Sequence, residues 1–412
     1  MTLDMKRRTF LQAAAVTGGV ALAPGWARAA VKDLGAGDRL VAIYLRGGAD
    51  GLTICPPLGE NAYFDARPTL AVSEAAGLPL DGFFGLHPAA GGLKDLFDDG
   101  DLAVIHAAGL QTAERSHFEA QATMEQGIDA GELKPGDGWI GRYLAELAPS
   151  LPLAAVALDQ AVPQSMVGPV DALAIGRIDE FEVALNPLDR SALKAVYAAD
   201  PLLAETANGV FDASDALAPV AALPPGEGYP QGQLGGALAD CARLIKADAG
   251  LQVAAINGGG WDHHDDQAEQ IDPLLADLAG SLAAFRDDIG SAWNSTVVVV
   301  MTEFGRRVRE NASLGTDHGH AGVMFAAGGG VNGGQVYGDW PGLDPADLSD
   351  GQDLRVTTDY RQVLAELLVQ RLGVTDPSPA LGGWEPGSFS GLFQPAASAS
   401  MAGPKHRSGR VR

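Results

Sequence analysis

Cysteine is nearly absent: Cys55 and Cys241 are the only two in 412 residues. That excludes a disulfide framework and leaves either two buried thiols or a single bridge. Basic residues are also scarce, 28 Lys and Arg against 52 Asp and Glu, for a net charge of −24. Residues 1–29 hold Lys6, Arg7, Arg8 and Arg28 against Asp4, so the remainder carries 24 basic and 51 acidic residues, net −27. Such a surface repels phosphate backbones, which argues against nucleic acid as a partner, and it disfavours docking on anionic lipid. After the N-terminal stretch no apolar run reaches the roughly 20 residues of a bilayer-crossing helix, so no transmembrane segment is expected in the mature chain. No internal repeat with a period of about 20–50 residues is visible either.

The N-terminus does have a pattern. Lys6-Arg7-Arg8-Thr9-Phe10-Leu11 opens a mild apolar stretch to Ala23, and Ala27-Arg28-Ala29 closes it with a small-x-small cleavage pattern. Charged, apolar and small-residue regions in that order predict a removed signal. The Arg7-Arg8 pair points to the twin-arginine export machinery, and so to a periplasmic or secreted protein whose mature form starts near Ala30. A basic, Ala-rich helix is the alternative, but it leaves the Ala-x-Ala site unexplained. Met5 would serve equally as a start, since the signal is complete without residues 1–4.

Along the rest of the chain, short apolar runs alternate with helical patterns. Strands are expected at 40–46, 102–106, 154–158, 173–178, 251–256, 296–301 and 322–327; helices at 116–126, 233–247, 266–289 and 358–371. The near-continuously apolar runs LQVAAI and TVVVVM suit strands covered on both faces. The alternation predicts an α/β fold, a doubly wound, mostly parallel sheet with helices on both faces. The Asp/Ala/Pro-rich text of about 181–231 reads as an inserted helical cap within a domain spanning 30–395. Residues 396–412, small and polar and then basic, are expected to be a disordered tail.

In such folds ligands collect beyond the carboxyl ends of the strands. The chemically distinctive residues fall there. Asp50 follows the first strand in Arg46-Gly47-Gly48-Ala49-Asp50, and Thr112, Arg115, Ser116 and His117 follow the second. Asp262, His263 and His264 follow LQVAAI, Glu303 ends TVVVVM, and Asp317-His318-Gly319-His320 precedes the last buried strand. Five of the eight histidines thus stand in strand-end segments beside a carboxylate. Mixed imidazole and carboxylate donors suit a divalent metal, zinc first, with magnesium, calcium or manganese as alternatives. Each motif has a plainer reading. Asp50-Gly51 is ordinary turn chemistry, Ser116-x-x-Glu119 is a helix capping box, Asp262-His263-His264 suits a solvated loop, and Glu303 with Arg306 suits an ion pair. Alternating ligand-type side chains in Asp317-His318-Gly319-His320 have no packing use.

With LVAIYLRGGADGL (40–52), RSHFEAQATME (115–125), NGGGWDHH (257–264), MTEFGRRV (301–308) and TDHGHAGVMFAAGGGVNGG (316–334), the chain resembles the twin-arginine-exported proteins of the domain-of-unknown-function 1501 family. These in turn resemble the alkaline phosphatase/sulfatase superfamily. The resemblance implies an alkaline phosphatase-like fold with two divalent metals held by Asp and His, and a Ser or Thr nucleophile at a helix N-terminus. It implies that Asp50 is the metal-binding Asp after the first strand. It sets Asp262 and His264 on one metal, Asp317 and His318 on the other, and His320 as a third imidazole. Here Asp262 and His264 are two apart where the superfamily usually spaces the pair by four, and His263 is an extra imidazole. Cys55-Pro56-Pro57-Leu58-Gly59 lacks the arginine of a sulfatase cysteine motif and follows the wrong strand.

The expected activity is metal-dependent hydrolysis of a small anionic phosphate or sulfate ester. Ser116 or Thr112 would be the nucleophile and Arg115 the group that holds the anion, unless water attacks directly. The alternative of another class is a non-catalytic exported binding or assembly protein that keeps the fold.

Overall fold

The computed structural model describes residues 38–133, 135–181 and 187–396. The expected signal and the basic tail lie outside these residues. Seven runs form the body of the main sheet: β1 (Arg39–Leu45), β2 (Leu102–Gly109), β3 (Ala155–Ala157), β4 (Leu173–Ala174), β5 (Val253–Gly258), β6 (Thr296–Thr302) and β7 (Gly322–Gly328). Two short strands that the sequence did not announce, β8 (Gln335–Tyr337) and β9 (Thr358–Asp359), both pair with β2. The sheet runs β8-β2-β7-β6-β1-β5-β3-β4. All pairings are parallel except those of β7, which lies antiparallel to both β2 and β6.

Strand side chains alternate between faces, and the two cores show it. Val41, Ile43 and Leu45 join Val298 and Val300 in one core, while Leu40, Ala42 and Tyr44 join Val297, Val299 and Met301 in the other. Helices α3 (Gly91–Asp98), α8 (Gln233–Lys246) and α9 (Gln267–Ile289) cover the first core through Leu96, Leu238 and Leu278. On the opposite face α4 (His117–Gln126), α5 (Trp139–Leu147) and α10 (Tyr360–Gln370) cover the second through Met124, Leu144 and Leu364. The expected α/β architecture, doubly wound and mostly parallel, is the one observed. Two very short helices sit at the end of β1: α1 (Gly51–Ile54) and α2 (Asn61–Ala66). The 181–231 stretch contains α6 (Pro187–Tyr197) and α7 (Pro201–Ala221), with Leu217 and Val220 of α7 reaching the first core. No helix among the described residues is long and apolar enough to cross a membrane.

The antiparallel direction of β7 decides which loops share an edge. Its start lies level with the carboxyl ends of its neighbours, since Val300 pairs with Phe325 while Val297 pairs with Gly328. The Asp317–His320 loop, which precedes β7, therefore reaches the edge where β1, β5 and β6 end.

Candidate metal centre

Gly47 lets the end of β1 close on the loop after β5. Its φ is +121°, and a Cβ there would stand 2.6 Å from the Asp262 backbone nitrogen. Only glycine suits both constraints. The buried Arg306 guanidinium ties the same loops together, donating to the carbonyls of Gly48 (2.7 Å) and Thr316 (2.9 Å) and to Asp262 Oδ1 (2.6 Å). Arg306 thus pairs with Asp262 and not with Glu303, the partner its sequence position suggested. Burial alone would raise the Asp262 carboxyl, but Arg306, with His117 and His264, holds it down at about 2.

Three imidazoles converge on Asp262. His117 Nε2 lies 3.2 Å from Asp262 Oδ2, His318 Nε2 lies 3.2 Å from Oδ1, and His264 Nε2 lies 3.0 Å from Oδ1. His117, Asp262 and His318 offer ligand atoms all within 4.8 Å of one another. His264 joins them through His318, Nε2 to Nε2 at 2.9 Å.

The Nδ1 atoms of these rings have acceptors of their own. His117 Nδ1 meets Glu303 Oε1 at 2.9 Å, His318 Nδ1 meets the Arg115 carbonyl at 2.8 Å, and His264 Nδ1 meets Asp317 Oδ1 at 3.2 Å. A neutral imidazole has one N–H, so donating it from Nδ1 leaves the Nε2 lone pair facing inward. His117 Nε2 is buried and makes no hydrogen bond despite its closeness to Asp262. Two lone pairs facing each other at 2.9 Å, as in His264 and His318, repel unless a proton or a metal cation stands between them. Histidine that ligates a metal through one nitrogen usually donates the other to a carboxylate or carbonyl. The donor set therefore fits a divalent metal.

Glu303 supports the centre rather than entering it. Its fully buried Oε1 accepts from His117, from Gln121 Nε2 (2.7 Å) and from the Gly47 amide (2.8 Å). Burial alone would raise the Glu303 carboxyl, and these bonds outweigh it and hold it below its usual range. The bond to Glu303 also makes the His117 imidazole more basic than usual. Phe304 packs its ring 4.9 Å from both His117 and His318, fixing their planes. Gln121 and Phe304 had no signature of their own in the sequence, although one lies four residues after His117 and the other directly after Glu303.

The remaining expected residues stand elsewhere. Asp50, expected to bind metal, is buried in a bidentate ion pair with Arg67, Oδ2 to Nη1 at 2.6 Å and Oδ1 to Nη2 at 3.0 Å. His320 donates Nε2–H to the Leu110 carbonyl (2.8 Å), its Nδ1 is buried without a partner, and the ring is outside the converging group. Asp317 orients His264 instead of sharing a second metal with His318, so the two expected Asp/His pairs meet at one centre. The Thr112 hydroxyl sits on the surface against Asp129 (3.1 Å). Ser116 caps α4, accepting from the Glu119 amide at 3.5 Å, while its own amide donates to Glu114 rather than completing the capping box with Glu119. Arg115, expected to hold an anion, turns its guanidinium to Asp353 and Asp350. Its part in the centre is the carbonyl that holds His318.

An α/β sheet with a histidine-rich centre at its carboxyl edge defines the class. The chain belongs to the family described as "Protein of unknown function (DUF1501)", whose model matches residues 103–381. Among solved structures it is similar to a protein in the alkaline phosphatase superfamily from Vibrio parahaemolyticus, with 9% identity and a TM-score of 0.38 over 92% of this chain and 77% of that one. It is also similar to the PsFucS1 sulfatase from Pseudoalteromonas sp. (12%, 0.38, 93% and 77%) and to the phosphonate monoester hydrolase of Agrobacterium radiobacter (12%, 0.34, 85% and 78%). No curated protein matches the chain.

Proposed function

We propose that the chain is an exported, metal-dependent hydrolase of phosphate or sulfate esters. The observation that carries this reading is the convergence of His117, Asp262, His264 and His318, with lone pairs turned inward and outer nitrogens bonded. A divalent cation held by these residues would polarise an ester oxygen and offset charge as it develops there. The chain's own contributions are then distinct. Glu303, Asp317 and the Arg115 carbonyl keep the three Nδ1 protons on the outer side. Arg306 fixes the Asp262 carboxylate, and Phe304 holds two of the rings in place. Export rests on the Arg7-Arg8 signal pattern.

A second reading, a binding or assembly protein with a structural metal, is favoured by one observation. Thr112, Ser116 and Arg115, the residues that would attack or hold the ester, are all engaged in surface, capping or ion-pair bonds. Metal analysis of the purified chain, with hydrolysis of an aryl phosphate and an aryl sulfate before and after chelation, separates the two. Turnover that chelator abolishes and zinc restores is the expected result. Bound metal without turnover on either ester selects the second reading, and absence of bound metal removes both.

A further inference from the structure

The superfamily resemblance implies two metals, and the residues here do not fit two. We infer that the protein takes a single divalent cation, and that the place of a second is filled permanently by the guanidinium of Arg67. This rests on the metal-centre reading and goes beyond it.

Asp50 is the only expected ligand outside the converging group that follows the first strand, and its carboxylate is saturated. Oδ1 accepts from the Leu52 amide (3.2 Å) and Arg67 Nη2; Oδ2 accepts from the Thr53 hydroxyl (2.8 Å), Arg67 Nη1 and Gln267 Nε2 (2.6 Å). Arg67 has five N–H groups, and each has an acceptor. Nη1 donates to Asp50 and to Thr53 Oγ1 (2.8 Å), Nη2 to Asp50 and the Arg307 carbonyl (2.9 Å), and Nε to the Val308 carbonyl (2.9 Å). Gln267 is held in turn by the Thr316 hydroxyl (2.7 Å). Asp50, Thr53, Arg67, Gln267 and Thr316 are all essentially buried.

Asp50 has no spare lone pair and Arg67 no spare proton. For a metal to enter, Arg67 would have to leave a site in which every one of its bonds is made, and its charge would have to find another partner inside the protein. The guanidinium already does for Asp50 what a cation would do: it neutralises the carboxylate and fixes both oxygens in one plane. The other two expected ligand pairs, Asp262 with His264 and Asp317 with His318, meet at one centre, so neither expected pair is left to assemble a second.

Zinc stoichiometry of the purified full chain tests this, with elemental analysis after dialysis and titration of the metal-stripped protein with zinc ion. One equivalent is expected, lost in Asp262→Asn and retained in the paired variant Asp50→Leu with Arg67→Met, which replaces the ion pair by apolar groups of similar size. Two equivalents in the wild type would overturn the inference while leaving the metal centre standing. So would loss of the ion from the paired variant with the fold intact by circular dichroism. If that variant does not fold, the wild-type stoichiometry alone decides. Zero equivalents in the wild type would instead remove the metal-centre reading beneath it.

Discussion

Two carboxylates leave adjacent strands at the same sheet edge and meet opposite fates. Asp50, after β1, is enclosed with Arg67, Thr53 and Gln267 in a network where donors and acceptors balance. Asp262, after β5, is partly exposed and ringed by three imidazole nitrogens at 3.0–3.2 Å. Both have lowered proton affinity, against the raising effect of burial, through an arginine: Arg67 in one case, Arg306 in the other. The difference is in what remains. Arg67 gives both faces of its fork to Asp50, whereas Arg306 gives Asp262 a single bond to Oδ1 and spends its other N–H groups on backbone carbonyls. A charge can thus be neutralised without being used up, and only the second arrangement leaves electron pairs for a ligand.

The sharpest way to break this contrast is to remove Arg67. Arg67→Met should cost about 3–5 kcal/mol of stability in urea unfolding, because Asp50 is left charged in the interior. Adding Asp50→Leu should recover most of that loss; a single variant as stable as wild type would show that the pair is not a closed one.

His106 extends the comparison to imidazoles. Unlike the three at the centre it is satisfied on both sides, with Nε2 at 2.8 Å from the Cys55 carbonyl and Nδ1 accepting from the Ala107 amide at 2.9 Å. Burial lowers its pKa from 6.5 to about 4. Between those values the unfolded chain binds the proton and the folded chain does not. Stability from this group is therefore present in full above about 6.5, declines as the pH falls, and is gone by about 4. The shift corresponds to about 3 kcal/mol. His106→Gln should flatten that part of the stability–pH curve, and an unchanged slope would rule out His106 as its source.

At the open centre, Asp262→Asn should weaken zinc binding by about a hundredfold or more, near 3 kcal/mol, as read by competition with a chromogenic chelator. The smallest effect should come from Glu303→Gln. An amide oxygen can still accept the His117 Nδ1 proton but supplies no charge, so zinc affinity should drop by about tenfold with stoichiometry intact. Equal losses in the two variants would place Glu303 among the ligands rather than behind one.

The sheet and most helices could be read from the chain because β1, β2, β5, β6 and β7 are largely apolar runs. The candidate ligands were legible for a related reason: His117, Asp262, His264 and His318 are polar, ligand-type side chains that stand out beyond the ends of apolar strands. What escaped was partnership. Asp50 has the sequence context of a strand-end ligand, and its capture depends on Arg67, a residue without a motif of its own between Ala66 and Pro68, whose reach is set by how α2 packs. Glu303 has the context of a strand-end ligand, with an ion pair to nearby Arg306 as the plainer reading; the carboxylate Arg306 does hold, Asp262, is 44 positions away. Whether Asp262-His264 and Asp317-His318 served one centre or two depended on the direction of β7, which an apolar run does not encode.

That reversed strand also affects how the protein comes together. His117, Asp262 and His318 sit on three separate segments, a helix start and two loops, that only the completed sheet brings to one edge, and the last of them precedes a strand that must slot between β2 and β6. The unfolded chain offers only local groups such as Asp262–His264 and Asp317–His318, each a fraction of the assembled donor set. A cation that binds there binds the finished protein almost exclusively, so its free energy adds to folding nearly undiminished. Metal uptake would then report that β7 has been inserted, and could be followed as the final event of refolding.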